Sequence, residues 1–252
     1  MELHRQLEHF ADNNATFTYW SLIWRNSASG DFYYYIHPNQ QLPENLSILE
    51  SQARIIPKAY YRPKPPCGLV PALDSVSKGR GSYVKPYHPE CVDDPERPFN
   101  DTSLADTMIE EAMVCERLAD HPHPNIAEYY GYAKHDGYMV GLCFKQYEKS
   151  LDEAVKNGES VDVESILEGI RSGLEHMHLI GLVHCNVKPE NVMLGSRSHA
   201  ILSNFESCHR KGAKMVRRGS ASKINAGTVA TVDTDWHGFA LIEEWLRGVQ
   251  SS

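Results

Sequence analysis

Gly181-Leu182-Val183-His184-Cys185-Asn186-Val187-Lys188-Pro189-Glu190-Asn191-Val192-Met193-Leu194 decides the reading of this chain. Two short apolar runs at its ends read as strands, and they would hold the polar stretch between them open as a loop. Within that stretch stand a His, a polar residue two positions on, a Lys two further and an Asn three beyond. Side chains that hydrogen-bond, carry charge and coordinate are thus gathered in one place, as in an active-site loop. Asn186 is out of keeping with proton chemistry, because a neutral amide takes up no proton.

Working outward, Ile166, Ile170, Leu174 and Met177 form an apolar stripe that leads into the loop, and Asp162 stands where it can cap that helix. Before it, Ser150-Leu151-Asp152-Glu153 has the spacing of a capping box and predicts a short helix ending near Gly158. Ala127 to Ala133 and Tyr138 to Phe144 read as a strand pair joined through His135-Asp136-Gly137, whose Asp-Gly favours a tight turn. Leu104, Met108, Ala112, Cys115 and Leu118 predict a helix with Glu111 beside its apolar stripe. Ser82 to Pro86 reads as a strand carrying Lys85 near its end. Downstream, Ala200 to Leu202 predicts another strand. Trp236, Phe239, Ile242, Leu246 and Val249 predict a last amphipathic helix.

Residues 1–65 form an aromatic-rich extension in which Phe17 to Trp24 and Asp31 to Ile36 flank Asn26-Ser-Ala-Ser-Gly30, the pattern of a β-hairpin with a longer loop. Arg62-Pro-Lys-Pro-Pro-Cys-Gly68 then interrupts regular structure, since consecutive prolines fix φ and remove donors. A boundary is expected there.

The chain has 252 residues and a formal net charge of -8, which argues against a general nucleic-acid or anionic-membrane binder. No apolar run approaches the roughly 18 residues of a membrane span. The N-terminus lacks the order of a secretory signal, so a cytoplasmic or nuclear location is expected. Cysteines 67, 91, 115, 143, 185 and 208 form no Cys-x-x-Cys pair and read as free thiols. The His121/His123 and His176/His178 pairs are two residues apart, a spacing that does not share a helix face, which argues against a metal site. Sequons at Asn14, Asn45 and Asn100 carry little meaning without export.

From about Leu69 onward the order of these landmarks resembles the eukaryotic protein-kinase fold. His184 to Asn191 resembles the catalytic loop H-R-D-x-K-x-x-N, and Lys188-Pro189-Glu190-Asn191 is most similar to the Ser/Thr type. Val84-Lys85 resembles the strand whose Lys holds the ATP phosphates, with Glu111 as its helix partner, and His123-Pro124-Asn125-Ile126 resembles the turn after that helix. Ser203-Asn204-Phe205-Glu206 stands in the place of the D-F-G metal motif, and Asp233 to Gly238 resembles the start of a later helix. The run His121 to Ile126 is also similar to small fungal kinase-like proteins. The resemblance implies an α+β, two-lobed fold with a shortened C-terminal lobe: a small lobe over 66–148 and a large lobe over 149–252, after the 1–65 extension. It implies Asn186 and Lys188 as catalytic-loop residues, Lys85, Glu111, Asn191 and Asn204 around ATP, and Asn191 and Asn204 as the metal positions.

The departures set the functional expectation. Asn186 replaces the Asp that would accept a substrate proton, and Asn204 replaces the metal Asp, so Mg2+ binding is expected to be weak or absent. The Gly-rich phosphate loop is not found: Gly79-Arg80-Gly81 sits too close to Lys85 and reads as a turn between strands. Cys185 stands where many kinases have an Arg that pairs with a phosphorylated loop. The pattern implies a pseudokinase with weak ATP binding that acts through protein binding; the alternatives are a slow Ser/Thr kinase and a nucleotide-independent scaffold. An open apolar face with Trp236, Phe239, Trp245 and Leu246 is expected on the last helix, available to a partner or to self-association. Arg217-Arg218-Gly219-Ser220 resembles a target of basophilic kinases.

Overall fold

A computed structural model describes residues 1–11, 16–77, 79–90, 98–99, 103–195, 199–215 and 229–250. Asn14, Asn100, Cys91 and the Arg217 to Ser220 motif lie outside the described residues. The chain divides into two compact units, Met1–Pro63 with Tyr87–Asp106, and Lys64–Pro86 with Thr107–Ser252.

The first unit is built on an antiparallel sheet of β1 (Glu2–Ala11), β2 (Thr16–Arg25), β3 (Phe32–His37) and β4 (Arg54–Ile55), paired in that order, with two single-turn helices, α1 (Ser47–Glu50) and α2 (Lys58–Tyr61). The expected hairpin is β2–β3, closed by the Arg25–Phe32 pair. Its loop is shaped by Asn26, whose Oδ1 accepts the N–H groups of Ala28 and Ser29 at 2.9 and 3.1 Å, and by Gly30 at φ 68°. Alternation along β2 and β3 feeds two cores. Ile23, Phe32 and Tyr34 join Ile56, Tyr61 and Phe99 on one face, and Leu22 and Trp24 join Leu49 on the other. β1 carries no such alternation because it is an edge strand, exposed along most of its length.

In the second unit α3 (Asp74–Ser77) precedes β5 (Ser82–Pro86), and the helix α4 (Ser103–Ala119) enters it at Thr107. Gly79-Arg80-Gly81 therefore connects a short helix to a strand, not two strands as expected. β6 (Tyr129–His135) and β7 (Tyr138–Lys145) complete an antiparallel sheet in the order β5-β7-β6. His135 pairs with Tyr138 across Asp136-Gly137, both at positive φ (50° and 84°), as a two-residue hairpin turn requires. Beside β6, Tyr132 donates its N–H to Val70 O at 3.1 Å and accepts from Ala72 N at 2.9 Å, so residues 70–72 extend the sheet. Gly131 permits that approach: a Cβ there would stand 2.6 Å from Val70 O and Ala72 N.

The remainder carries the loop. β8 (Lys149–Ser150) runs into α5 (Leu151–Lys156), where Glu153 N–H donates to Ser150 Oγ at 3.2 Å and Ser150 N–H to the Glu153 carboxylate at 2.8 Å, completing the capping box. α6 (Val163–Leu179) begins at Asp162, whose carboxylate accepts Ser165 N–H at 3.1 Å, and it buries Ile166, Ile170, Leu174 and Met177 completely. After it come β9 (Leu182–Val183), β10 (Val192–Leu194), β11 (Ala200–Leu202), β12 (His209–Arg210) and α7 (Val232–Gln250). β10 pairs with both β11 and β8, and β9 pairs with β12, so the loop from His184 to Asn191 is pinned at both ends.

The apolar face of α7 is not left open. It packs on α6, with Phe239, Ile242 and Leu246 buried and Trp236 and Trp245 half-buried, while Leu241 and Val249 remain exposed. Among the described residues no helix is long and apolar enough to cross a membrane.

Candidate functional site

The floor of the loop is one buried carboxylate. Asp235, on the first turn of α7, is fully buried; its Oδ2 accepts His184 N–H at 2.8 Å and His178 Nε2–H at 2.7 Å, and its Oδ1 accepts Cys185 N–H at 2.7 Å. Those bonds hold Cys185 at φ 60°, the backbone reversal that opens the loop. The sequence reading gave the start of this helix to Asp233, which is exposed. Both Asp residues lie in the first turn, and only the side that faces the loop makes the contact. One turn on, Gly238 lets α7 approach: a Cβ would stand 2.6 Å from Val187 O.

His184 links the floor to what lies above it. Fully buried, its Nε2–H donates to Ser203 O at 3.0 Å and its Nδ1 accepts Asn186 N–H at 3.3 Å. Burial disfavours the imidazolium and lowers its pKa, so the ring stays neutral. The Phe205 ring packs edge-on against it at 5.7 Å.

Above, Lys85 Nζ from β5 stands 2.7 Å from Glu111 Oε2 on α4, 3.5 Å from Glu206 Oε2 and 2.9 Å from Asn204 Oδ1. Burial works against the Lys85 charge, but the two carboxylates outweigh it and hold its pKa above that of an ordinary lysine. Burial pushes the Glu111 pKa up, and Lys85 draws it back. Glu111 Oε1 also accepts Phe205 N–H at 3.1 Å, tying α4 to the segment after β11. Asn204, at φ 62°, donates its Nδ2–H to Asn191 Oδ1 at 3.0 Å, and Asn191 in turn donates to the Asn186 carbonyl at 2.8 Å.

The structure thus brings together Lys85, Glu111, Asn191 and Asn204, with Asn186 joined through its main-chain carbonyl. Asn186 and Lys188 are half-buried, and among the described residues the Lys188 ammonium makes no ion pair. Asp235 and His178 were not singled out in the sequence. His178 had been weighed only as half of a metal-like pair, whereas its partner is a carboxylate.

The metal positions do not fit a resident Mg2+. Asn191 and Asn204 offer only neutral amide oxygens, and each oxygen already accepts a hydrogen bond. Glu206 is the near carboxylate, and it faces Lys85. Among the described residues no group of three or more His, Cys, Asp or Glu side chains is placed to hold a metal ion. Of the clefts in this unit, one of about 1060 Å³ is lined by Leu118, Pro124, Tyr147 and Leu194, and one of about 510 Å³ by Met113, Arg117 and Arg210. Neither is lined by Lys85, Asn191 or Asn204.

A strand Lys paired with a helix Glu, above a His-to-Asn loop anchored on a buried Asp, defines a protein of the kinase class. A family model described as protein kinase domain matches residues 94–229, more than half of the chain, and the chain belongs to that family. It is 32% identical over 105 residues to the 2-5A-dependent ribonuclease of Mus musculus, covering 38% of this chain and 14% of that protein. The sensor for unfolded proteins in the ER ire1 of Schizosaccharomyces pombe is 30% identical over 98 residues, 33% of this chain and 9% of its own length. Serine/threonine-protein kinase D of Synechocystis is 29% identical over 147 residues, 57% of this chain and 27% of its own. The chain therefore spans less than a third of each of these relatives.

Proposed function

We propose that this chain is a pseudokinase, which keeps the kinase scaffold, transfers no phosphate and acts by binding protein. The observation that carries this reading is the unbroken run of hydrogen bonds from Lys85 through the Asn204 and Asn191 amides to the Asn186 main-chain carbonyl, with amides at 186 and 204, the two positions where phosphoryl transfer in this family uses a carboxylate. An amide at 186 cannot accept the hydroxyl proton of a substrate. Loss of such a base costs roughly 10²- to 10⁴-fold in rate, about 3 to 5 kcal/mol of barrier. ATP binds weakly in this reading, because the Lys85 charge is offset by Glu111 and Glu206 before any phosphate arrives. The five described cysteines are free thiols, which supports a cytoplasmic or nuclear setting.

A second reading, a slow Ser/Thr kinase, draws support from the assembled Lys85–Glu111 pair at 2.7 Å. The double substitution Asn186→Asp with Asn204→Asp, assayed beside the original chain for ATP binding and turnover, separates the two. The pseudokinase reading expects turnover, if it returns at all, only in the variant; turnover of the original chain at the rate of an ordinary kinase overturns it. Thermal unfolding with ATP separates both from a pure scaffold, since occupancy at a hundredfold above Kd adds about 2.7 kcal/mol.

A further inference from the structure

The polarity of the Lys85 to Asn186 chain is fixed by its ends. Lys85 can only donate, and the Asn186 main-chain carbonyl can only accept. Every group between them must therefore accept on one side and donate on the other. Asn204 does so, taking the Lys85 proton on Oδ1 and giving Nδ2–H to Asn191 Oδ1 at 3.0 Å; Asn191 does so again, giving Nδ2–H to the carbonyl at 2.8 Å. A carboxylate at 204 would break the sequence, because it has no hydrogen to give. Its oxygen would face the Asn191 oxygen. Turning the Asn191 amide over would only move that oxygen-to-oxygen contact to the Asn186 carbonyl. Facing oxygens are held together by a cation, and Mg2+ is suited to a carboxylate oxygen.

We infer that the Asn204 amide takes the place of a divalent cation between strand β5, the segment after β11 and the His184 to Asn191 loop, so that this assembly is complete without metal or nucleotide. Two further bonds belong to the same lock: Phe205 N–H to Glu111 at 3.1 Å and Ser203 N–H to Asn191 O at 2.9 Å. Asn191 is 4% exposed, so its amide has little access to water as an alternative partner. The inference rests on the pseudokinase reading for its biological sense: a domain that binds partners with no nucleotide cycle has no need for a metal to assemble it. The hydrogen-bond argument itself is independent of whether phosphate is transferred.

The test is thermal unfolding of the full chain, of Asn204→Asp and of Asn204→Ala, each in EDTA and across a MgCl2 titration to 10 mM. We expect no response to Mg2+ from the original chain or from Asn204→Ala. For Asn204→Asp we expect a lowered midpoint in EDTA and a saturable rise of about 2 to 4 °C with Mg2+, the shift that a modest ligand gives in a chain of this size. A Mg2+-dependent rise in the original chain, or an Asn204→Asp variant as stable as the original in EDTA and blind to Mg2+, overturns the inference. Should Asn204→Asp not fold, hydrogen exchange of the original chain decides: protection of the Phe205 amide must be the same in EDTA and in Mg2+, and a gain with Mg2+ counts against the relay. Radiolabelled ATP given to the same samples reads the other question. Phosphate transfer by the original chain would sink the pseudokinase reading and leave the relay standing, whereas Mg2+-dependent melting without transfer would do the reverse.

Discussion

The floor and the mouth of the loop have been treated differently in one small volume. Beneath it, the carboxylate of Asp235 is kept in full burial, with its charge met by two main-chain amides and His178. Above it, amides stand at 186 and 204 where the kinase pattern has carboxylates, and the Asn204 and Asn191 amides bond to one another, to Lys85 and to the Asn186 main-chain carbonyl. A carboxylate whose work is to hold backbone cannot be replaced without leaving buried donors unmet. One whose work is to take a proton or a metal can be lost with the fold intact. The contrast separates architecture from chemistry residue by residue.

The largest effect should follow an attack on the floor. Asp235→Ala leaves two buried amide donors and the His178 ring without their acceptor, and we expect a loss of about 3 to 5 kcal/mol in urea unfolding. A loss under 1 kcal/mol would show that the floor is not held as described. Next comes the link between strand and helix. Glu111→Gln keeps an acceptor for Phe205 N–H but removes the charge beside Lys85, for an expected cost of about 1.5 to 3 kcal/mol, partly relieved by Glu206.

How far this pair of regions was legible in the sequence follows from what each residue type can signal. The loop, the Ser150–Glu153 capping box and the Asp136-Gly137 turn were readable from spacing or turn chemistry alone, whereas Lys85 and Glu111 were paired only through the resemblance to the kinase fold. Asp235 was not, since Asp233 and Asp235 both fit the start of a helix and only burial tells them apart. The direction of the Asn204 to Asn191 bond was also invisible, because an Asn reads as a lost carboxylate until its donor and acceptor are placed. β1 escaped notice for the opposite reason: an edge strand exposed on both sides has no periodicity. The apolar stripe of α7 was readable, but its cover by α6 depends on tertiary packing.

A smaller effect, set by pH, tests His184, which touches both regions. Its folded pKa is lowered by burial, so the unfolded chain takes the proton first as pH falls. The stability it contributes is fully present above the unfolded value near pH 6.5 and is lost progressively as pH falls below it. His88, in the first unit, is lowered to about 4 by burial and by neighbouring charges, and acts in the same direction. We expect His184→Gln to flatten part of the fall in urea midpoint between pH 7 and 5.5. An unchanged slope would mean that the ring takes up its proton as readily in the fold as in the unfolded chain.

The smallest effect belongs to the mouth. Asn186→Asp should change stability by no more than about 0.5 kcal/mol, because only the main chain of this residue takes part in the described bonds. A loss of several kcal/mol would place its side chain in the architecture after all.

The most direct test is phosphate transfer by the unaltered full chain, incubated with radiolabelled ATP and Mg2+, alone and with a basic protein acceptor. With no base at 186 and no carboxylate at 204, incorporation should not exceed that of a buffer blank. Labelling at the pace of an ordinary kinase, about 1 to 100 per second, would contradict the pseudokinase reading.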